Sequence, residues 1–209
     1  MRIAGVDEVG RGPLAGPVVA AAVVFKSGYK NENIRDSKKL SAKDRESLVD
    51  TIKKDCLQWS IISVGHHRIN SLNIREASKV AMSLAIRRVE ADLVLVDGNM
   101  AIYTERRQRT VIGGDDLHVE ISAASILAKV WRDDLMKTLD SRFPNYGFAQ
   151  HAGYATKFHR EAIKHHGPCL IHRRTFGGVK EFWDNVQKKH ELRRQKADFP
   201  SEDSQALSS

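Results

Sequence analysis

The amino-acid sequence predicts an α/β fold in which a mixed central sheet is flanked by helices. Two segments near the N-terminus, residues 2–9 and 17–25, are rich in Val, Ile and Ala and are bounded by glycine, as strands often are. Residues 93–96 form a short, unbroken apolar run, which is typical of a strand buried on both faces. Strands first, and then helices interleaved with further strands, indicate helices packed on one mixed sheet.

The elements of the first half each have a local cause. A glycine-rich turn at residues 10–16 joins the first two strands. Ser41 suits the N-cap of a helix that runs to about Cys56, and Trp59 to Val64 has the composition of a third strand. Asn73 is an N-cap candidate for a helix to about Val89, in which apolar residues recur at helical spacing.

The second half is predicted to contain two strands, a long helix, a loop and two shorter helices. Alanine, isoleucine and leucine recur at helical spacing through the long helix, whereas proline and glycine interrupt the loop that follows. In chain order these are strands at 93–96 and about 110–112, the long helix at 120–139, the loop at 143–153, and helices at 157–165 and 179–190.

Length and composition predict a single domain over residues 1–190 followed by a polar tail at 191–209, for which we expect disorder. No apolar run approaches the ~20 residues that a membrane span needs, and the N-terminus lacks the pattern of a secretory leader. The two cysteines, Cys56 and Cys169, are too few for a disulfide scaffold or a zinc knuckle. We therefore expect a cytoplasmic protein without a membrane anchor, acting as a monomer.

The charge balance indicates a polyanionic partner. The net charge is +8 and the isoelectric point is about 9.6. Charge alone is weak evidence, because many soluble proteins are basic. It gains weight here because the acids singled out below cluster in a mostly cationic chain. An enzyme acting on nucleic-acid backbones needs cations to hold phosphates and acids to hold a catalytic metal.

Four acids stand where an α/β sheet presents side chains to a cleft. Asp7 and Glu8 end the first strand, Asp97 ends the most apolar strand, and Asp115 follows a glycine pair. Neighbouring strand residues point to opposite faces, so Asp7 and Glu8 share a site only if the glycines after them let the backbone bend. Taken singly, each acid is as easily a turn or helix cap. Together they suggest a phosphoryl-transfer site with two hard cations ~3.5–4 Å apart.

Seven sequence motifs are distributed along nearly the whole chain up to about residue 180. They are GVDEVGRGPLAG at 5–16, DSKKL at 36–40, VDGN at 96–99, GD at 114–115, EISAASILAKVWRD at 120–133, YGFAQHAGY at 146–154 and HRRTF at 172–176. In these segments the chain resembles bacterial ribonuclease HII, the type 2 ribonuclease H.

The resemblance implies a ribonuclease H-like fold with a helical C-terminal extension. It also implies endonucleolytic cleavage of RNA paired to DNA, and incision at single ribonucleotides embedded in duplex DNA that leaves 3′-hydroxyl and 5′-phosphate ends, as in ribonucleotide excision repair and DNA replication. By the family's motifs, the catalytic and metal-binding carboxylates for Mn²⁺ or Mg²⁺ are Asp7, Glu8, Asp97 and Asp115. Asp133 is interpreted as a supporting or helix-surface acid.

The same resemblance assigns substrate contacts. Gly10, Arg11 and Gly12 are expected to recognise the ribose, since glycines let backbone groups approach the 2′-hydroxyl that distinguishes RNA from DNA. Tyr154 is expected to stack on the sugar at the RNA–DNA junction. The expected phosphate contacts are Ser37, Lys38, Lys39, His172, Arg173 and Arg174. The nine histidines are interpreted mainly as surface residues, because their spacing and the lack of cysteine partners argue against zinc.

Two alternatives stay open at this point. The type 3 enzyme shares the Asp-Glu motif but normally carries an extra N-terminal substrate-binding domain and lacks an arginine between the glycines. Arg11 and the position of Asp7 disfavour it. A non-catalytic nucleic-acid-binding module would not need separated acids at strand ends, because acids repel phosphate unless a cation intervenes. Nuclease activity with and without a chelator separates these classes.

Overall fold

A five-stranded mixed sheet forms the centre of the computed structural model, which describes residues 1–34 and 40–184. The spatial order of the strands is β3-β2-β1-β4-β5. The first three strands pair antiparallel, whereas β4 and β5 run parallel to β1. The strands are β1 (Ile3–Val9), β2 (Val18–Val24), β3 (Gln58–Val64), β4 (Leu93–Asp97) and β5 (Arg107–Val111).

Helices cover both faces of this sheet and continue beyond it toward the C-terminus. They are α1 (Ala42–Asp55), α2 (His66–Leu72), α3 (Ile74–Arg87), α4 (Gly114–Leu117), α5 (Val119–Arg142), α6 (Phe148–His151) and α7 (Lys157–His166). A 3₁₀ turn at Pro144–Tyr146 precedes α6, and residues 180–184 are helical.

Side-chain alternation along β2 divides the core into two layers. Every residue of β2 is buried. Ala20 and Ala22 contact the cluster that contains α3, whereas Ala21 and Val23 contact the cluster that contains α1 and α5. Because successive strand residues point to opposite faces, a strand buried on both faces must be apolar throughout. The predicted mixed sheet with flanking helices is confirmed.

The helical region after α5 has its own core. Tyr146, Phe148 and Ile163 pack with Leu14 and Met136, so this region docks on the loop that follows β1 and on the end of α5. The C-terminal helices therefore lie beside the glycine-rich loop of the sequence motif.

The structure differs from the sequence prediction in the short elements. No pattern in the sequence marks α2 or α4, and α6 and the 3₁₀ turn lie in the segment predicted as loop. The last strand begins at Arg107, earlier than predicted, because β5 is a polar edge strand whose start is set by pairing with β4. Isolated helices of one or two turns are marginal in water, so tertiary packing must stabilise them.

Some predictions fall outside the described residues. These are the phosphate contacts Ser37, Lys38 and Lys39, the end of the helix predicted at 179–190, and the tail at 191–209. In the part of the chain that the structure describes, no helix is both long and apolar enough to cross a membrane.

Candidate active site

The end of β1 places Asp7 on the face covered by α5. A β-carbon at Gly5 would collide with the backbone of Glu120 and Ile121, so glycine at this position lets α5 approach the strand closely. Asp7 is 7% exposed, and its carboxylate accepts a hydrogen bond from Ser125 of α5 and another from the Glu8 amide at 2.7 Å. The close approach of strand and helix therefore buries the first acid of the motif.

Glu8 forms an ion pair with the arginine of the glycine-rich loop. Its Oε1 lies 3.3 Å from Nη1 of Arg11. The Glu8 side chain is only 8% exposed, whereas the Arg11 side chain is 47% exposed. The exposed Arg11 side chain therefore covers the buried Glu8 carboxylate on its solvent side.

Asp97 lies beside Asp7 because β4 runs parallel to β1. Val96 pairs with Val6, so Asp97 and Asp7 follow matched positions on neighbouring strands. Oδ1 of Asp97 accepts a hydrogen bond from the Gly114 amide at 2.9 Å. This bond connects the end of β4 to α4, the short helix that carries the fourth acid.

Asp115 is buried at the start of α4, where it is 4% exposed. The Ser122 hydroxyl donates to the Asp115 carbonyl oxygen at 2.6 Å, which fixes α4 against α5. The structure therefore places the ends of strands β1 and β4 next to each other and the start of helix α4 next to β4, and each of the four predicted carboxylates lies on one of these elements.

The electrostatics of the site fit a divalent cation. Burial raises the pKa of Asp7 well above its ordinary value, and the charges of Glu8 and Asp97 add to the rise. The pKa of Glu8 is raised to about 7, mainly by burial and with a contribution from the Asp97 charge, against the opposing effect of Arg11. A hard cation would relieve this repulsion, and carboxylate oxygens are its preferred ligands. Among the described residues, no three acidic, His or Cys side chains are grouped closely enough to hold a metal ion as they stand.

Two buried arginines hold the glycine-rich loop, which comprises residues 10–17, that is, the predicted turn at 10–16 together with Pro17. Arg173 donates to the carbonyl oxygens of Gly10, Arg11 and Gly16 at 2.6–3.0 Å, and it is 0% exposed. A buried guanidinium cannot also contact a phosphate on the surface, so the prediction of Arg173 as a phosphate contact is wrong for this structure. Arg132 of α5 is equally buried and was not among the predicted site residues. The sequence could have indicated its burial, because Arg132 follows the buried Ala128 by four residues and so lies on the same face of α5.

His172 is also buried, against both the phosphate-contact prediction and the interpretation of the histidines as surface residues. Nδ1 of His159 donates to the Tyr154 carbonyl at 2.9 Å, since a carbonyl only accepts. Nε2 of His159 then accepts from Nε2 of His172 at 3.0 Å, and Nδ1 of His172 accepts from the Cys169 amide at 2.9 Å. In this arrangement both imidazoles are neutral, and each of their four ring nitrogens has a hydrogen-bond partner.

Burial accounts for that neutrality. It lowers the pKa of His159 to about 4 and that of His172 to about 3, and for His172 the neighbouring imidazole adds to the effect. His159 stands in α7 and bonds the backbone of Tyr154. The histidines therefore fix the segment that carries the predicted stacking residue.

Tyr154 lines a groove of about 490 Å³ between α1, α5 and the segment after α6. Its side chain is partly exposed, and the Lys129 ammonium lies 5.9 Å from the ring centroid. Asp133 lines the same groove and pairs with Lys129 at 2.9 Å.

The last predicted phosphate contact is accessible. Arg174 is exposed next to the buried Arg173, and its guanidinium lies 4.1 Å from the centroid of the Trp183 ring. An arginine stacked on an aromatic ring keeps its donors available for an anion.

A mixed sheet of this order, with carboxylates at the ends of two adjacent parallel strands, is typical of a ribonuclease H-like fold. A family model described as "Ribonuclease HII" matches residues 4–179. The chain belongs to the ribonuclease HII family, which confirms the type 2 assignment over type 3. It is an endonuclease that hydrolyses RNA in RNA–DNA hybrids in a metal-dependent reaction.

Relatives match over most of both chains. Ribonuclease HII of Syntrophotalea carbinolica is 49% identical over 183 residues, which are 87% of this chain and 88% of the relative. Ribonuclease HII of Acinetobacter baylyi is 48% identical over 185 residues, which are 85% of this chain and 96% of the relative.

Solved structures share the fold. Ribonuclease H2 of Pyrococcus horikoshii aligns with a TM-score of 0.76 at 24% identity, covering 90% of this chain and 100% of that one. Ribonuclease HII of Archaeoglobus fulgidus, solved in complex with PCNA, aligns with a TM-score of 0.72 at 27% identity, covering 84% and 95%.

Proposed function

We propose that this enzyme incises duplex DNA at single embedded ribonucleotides, as well as cleaving longer hybrids, and leaves 3′-hydroxyl and 5′-phosphate ends. The proposal rests on one observation. The glycine-rich loop that carries Arg11 follows Asp7 and Glu8 directly, so ribose recognition and chemistry would occur within a few residues of one another. The 2′-hydroxyl is the group that marks one ribonucleotide in a DNA duplex.

Asp7, Glu8, Asp97 and Asp115 would hold two Mn²⁺ or Mg²⁺ ions. When bound, such ions supply an activated water and stabilisation of the leaving oxygen. The chain's own groups do the rest. Arg11, released from Glu8, would hold the phosphate next to the ribonucleotide, because a guanidinium can donate two parallel hydrogen bonds to it.

The remaining contacts hold the duplex. Gly10 and Gly12 would let the loop backbone reach the ribose, and Tyr154 would stack on the sugar at the junction. Arg174 would contact a phosphate from the surface, as would Ser37, Lys38 and Lys39 outside the described residues. We infer a monomer in the cytoplasm, where the two free cysteines stay reduced.

The test compares three substrates with one enzyme preparation. They are a DNA duplex with one ribonucleotide, the same duplex without it, and an RNA–DNA hybrid, each with equal Mn²⁺ or Mg²⁺. We expect one incision at the ribonucleotide, none in the DNA control, and no cleavage with excess chelator. End-labelling at nucleotide resolution identifies the termini. Cleavage of the hybrid without incision at the single ribonucleotide would contradict the proposal.

A further inference from the structure

Arg132 and Arg173 are two fully buried cations without a carboxylate partner. Both are 0% exposed, and neither forms an ion pair within the described residues. Burying a charge without compensation is costly, so such residues persist only where other polar groups surround them. Here the compensation comes mainly from backbone carbonyl oxygens, and the Arg173 guanidinium also lies 5.0 Å from the centroid of the Phe176 ring.

The two guanidiniums donate six hydrogen bonds in total, to carbonyl oxygens of residues 10–17 and of Ala152. Arg132 donates to the carbonyl oxygens of Ala15 and Pro17 at 3.2 and 3.0 Å, and to that of Ala152 at 2.9 Å. Arg173 donates its three bonds to carbonyls of the loop at residues 10–17. Five of the six acceptors thus belong to this one loop, and the sixth lies two residues before Tyr154.

The bonds of Arg173 also orient the loop. In a trans peptide the carbonyl and the following N–H point in opposite directions. Because the Gly10 and Arg11 carbonyls turn inward onto Arg173, the N–H groups of Arg11 and Gly12 turn away from it. In the described part of the chain no acceptor takes these two amides, and both residues are exposed. On its outer side the loop therefore presents two amide donors that no acceptor among residues 1–34 and 40–184 takes.

Close packing ties the loop to the Tyr154 segment. The Leu14 amide donates to the Gly153 carbonyl at 2.8 Å, and a β-carbon at Gly153 would lie 2.8 Å from the Ala15 carbonyl oxygen. The Arg173 amide donates to the Leu14 carbonyl at 2.8 Å, which holds Arg173 itself in register with the loop. The two segments proposed to contact the ribonucleotide from either side thus form one unit.

We propose that Arg132 and Arg173 are positioning residues that set the discrimination between a ribonucleotide and a deoxyribonucleotide. They touch no substrate. They act through the loop backbone and through the position of Tyr154, and they are independent of the metal-binding acids. This inference rests on the proposed function, since it requires that the loop recognises the ribose.

The experiment measures binding rather than turnover. In an Asp97→Asn background that does not cleave, affinity is measured by fluorescence anisotropy for two duplexes that differ in a single 2′-hydroxyl. The ratio of the two dissociation constants is the discrimination factor. Arg173→Lys and Arg132→Lys keep the charge, but a lysine ammonium cannot form the planar fork that spans three carbonyls.

We expect each lysine variant to lower the discrimination factor roughly 2- to 10-fold, toward one, because that is the usual effect on affinity of losing a hydrogen bond, here one to the 2′-hydroxyl. Affinity for the all-DNA duplex should stay near that of the parent. Mn²⁺ affinity, measured by titration in the variants that keep Asp97, should also stay unchanged. Arg160→Lys on the exposed side of α7 is the matched control and should change none of these quantities.

Gly16→Ala provides a second route that leaves both arginines in place. Gly16 has a φ of +81°, which L side chains rarely adopt, and a β-carbon there would lie 2.5 Å from the Met136 sulfur, so we expect the substitution to shift the loop backbone. It should lower the discrimination factor in the same way. Ile52→Val, on the buried face of α1, controls for a general loss of stability.

The outcomes separate the two proposals. Retained discrimination in folded lysine variants overturns the inference, as does a loss that Ile52→Val reproduces at an equal fall in melting temperature. If neither arginine variant folds, retained discrimination in Gly16→Ala overturns it. A parent enzyme that cleaves at the ribonucleotide but binds both duplexes equally overturns it too. A parent that never incises at the ribonucleotide refutes the proposed function instead.

Discussion

The side chains of Asp7 and Glu8 are buried beside a third carboxylate on the neighbouring strand. Asp7 accepts two hydrogen bonds, yet burial and the charges of Glu8 and Asp97 still raise its pKa. One arginine on the rim does not balance this cluster, since Glu8 keeps a pKa of about 7 beside Arg11. Buried carboxylates that repel one another destabilise the protein when no cation is bound. Such an arrangement is typical of a cation-binding site.

The first prediction concerns these acids. Asp7→Asn, Glu8→Gln and Asp97→Asn should each abolish cleavage while the fold is kept, because amides coordinate hard cations far less well than carboxylates do. Binding of the duplex should persist or tighten, since a charge that repels phosphate is removed.

Turnover, circular dichroism and duplex affinity are measured together for these variants. Asp92→Asn, at the opposite end of β4 and exposed, is the matched control and should cleave normally. Near-normal turnover of an active-site variant at modest metal concentration would remove that residue from the ligand set.

Tyr154 carries the second prediction at this scale. Stacking on a nucleotide is typically worth ~1–3 kcal/mol, or roughly 5- to 150-fold in affinity or rate. Tyr154→Ala should therefore impair incision at a single ribonucleotide more than cleavage of a long hybrid, where neighbouring contacts compensate.

The control is Tyr154→Phe, which keeps the aromatic face and should keep most of the activity on both substrates. Both are assayed with one metal and one preparation. An equal proportional loss on the two substrates would show that Tyr154 has a general packing or catalytic role.

At the scale of elements, the long helices and central strands follow local patterns, whereas the short helices do not. Ser41 caps α1 with a capping box, and Asn73 caps α3 through its side chain, as the sequence predicts. The helices α2, α4 and α6 have seven or fewer residues and depend on tertiary contacts. Helix α7 is also held by buried imidazoles, because His159 in this helix bonds both the Tyr154 carbonyl and His172.

The third prediction is a loss of stability in acid. The folded pKa values of His159 and His172, about 4 and 3, lie below the ordinary value of 6.5, so the unfolded chain binds more protons below pH 6.5. The contribution of these residues is fully present above about pH 6.5 and falls as the pH drops toward their folded values. At pH 5 each would cost about 2 kcal/mol of unfolding free energy.

Difference measurements isolate this effect, because Asp7 and Glu8 act in the opposite direction. Their raised pKa values make the folded state bind more protons, so they add stability as the pH falls. Denaturant unfolding of His172→Gln between pH 7 and 4 should show a shallower decline than the parent. His165→Gln, at an exposed position, is the matched control. Parallel curves for His172→Gln and the parent would contradict the prediction.

At the scale of the whole molecule, the net charge of +8 coexists with a buried acidic site. The separation is spatial, since Asp7 and Asp115 are buried, whereas Arg11 and Arg174 are exposed. A surface of cations can then hold a polyanion while the acids stay out of contact with most of its phosphates.

The fourth prediction is a steep dependence of duplex affinity on salt, because bound cations displace counterions from phosphates. Arg174→Glu should weaken binding and reduce the slope of log affinity against log salt by about 0.9 for each phosphate that the variant no longer neutralises. Arg2→Glu makes the same charge change at the far end of β1, where Arg2 pairs with Glu90, and is the matched control. Equal effects of the two variants would mean that net charge alone governs binding.

The sequence by itself determined the sheet-and-helix class and the acids of the site. Residues 5–16 carry Asp7, Glu8 and Arg11 within a few positions, and Asp97 and Asp115 were indicated by a strand end and a glycine turn. These signals are local, because alternation, capping and glycine turns depend on near neighbours. The helices of four to seven residues lacked such signals.

Only the tertiary structure decided which basic residues are exposed to solvent and which are buried against the backbone. His172, Arg173 and Arg174 are consecutive and look alike in the sequence, yet the first two are buried and the third is exposed. Arg132 lies within the motif at 120–133, yet nothing in the sequence shows that its side chain is buried against the loop backbone. The physical reason is that burial depends on docking between residues more than one hundred positions apart, as Arg132 is from Ala15 and Arg173 from Gly10.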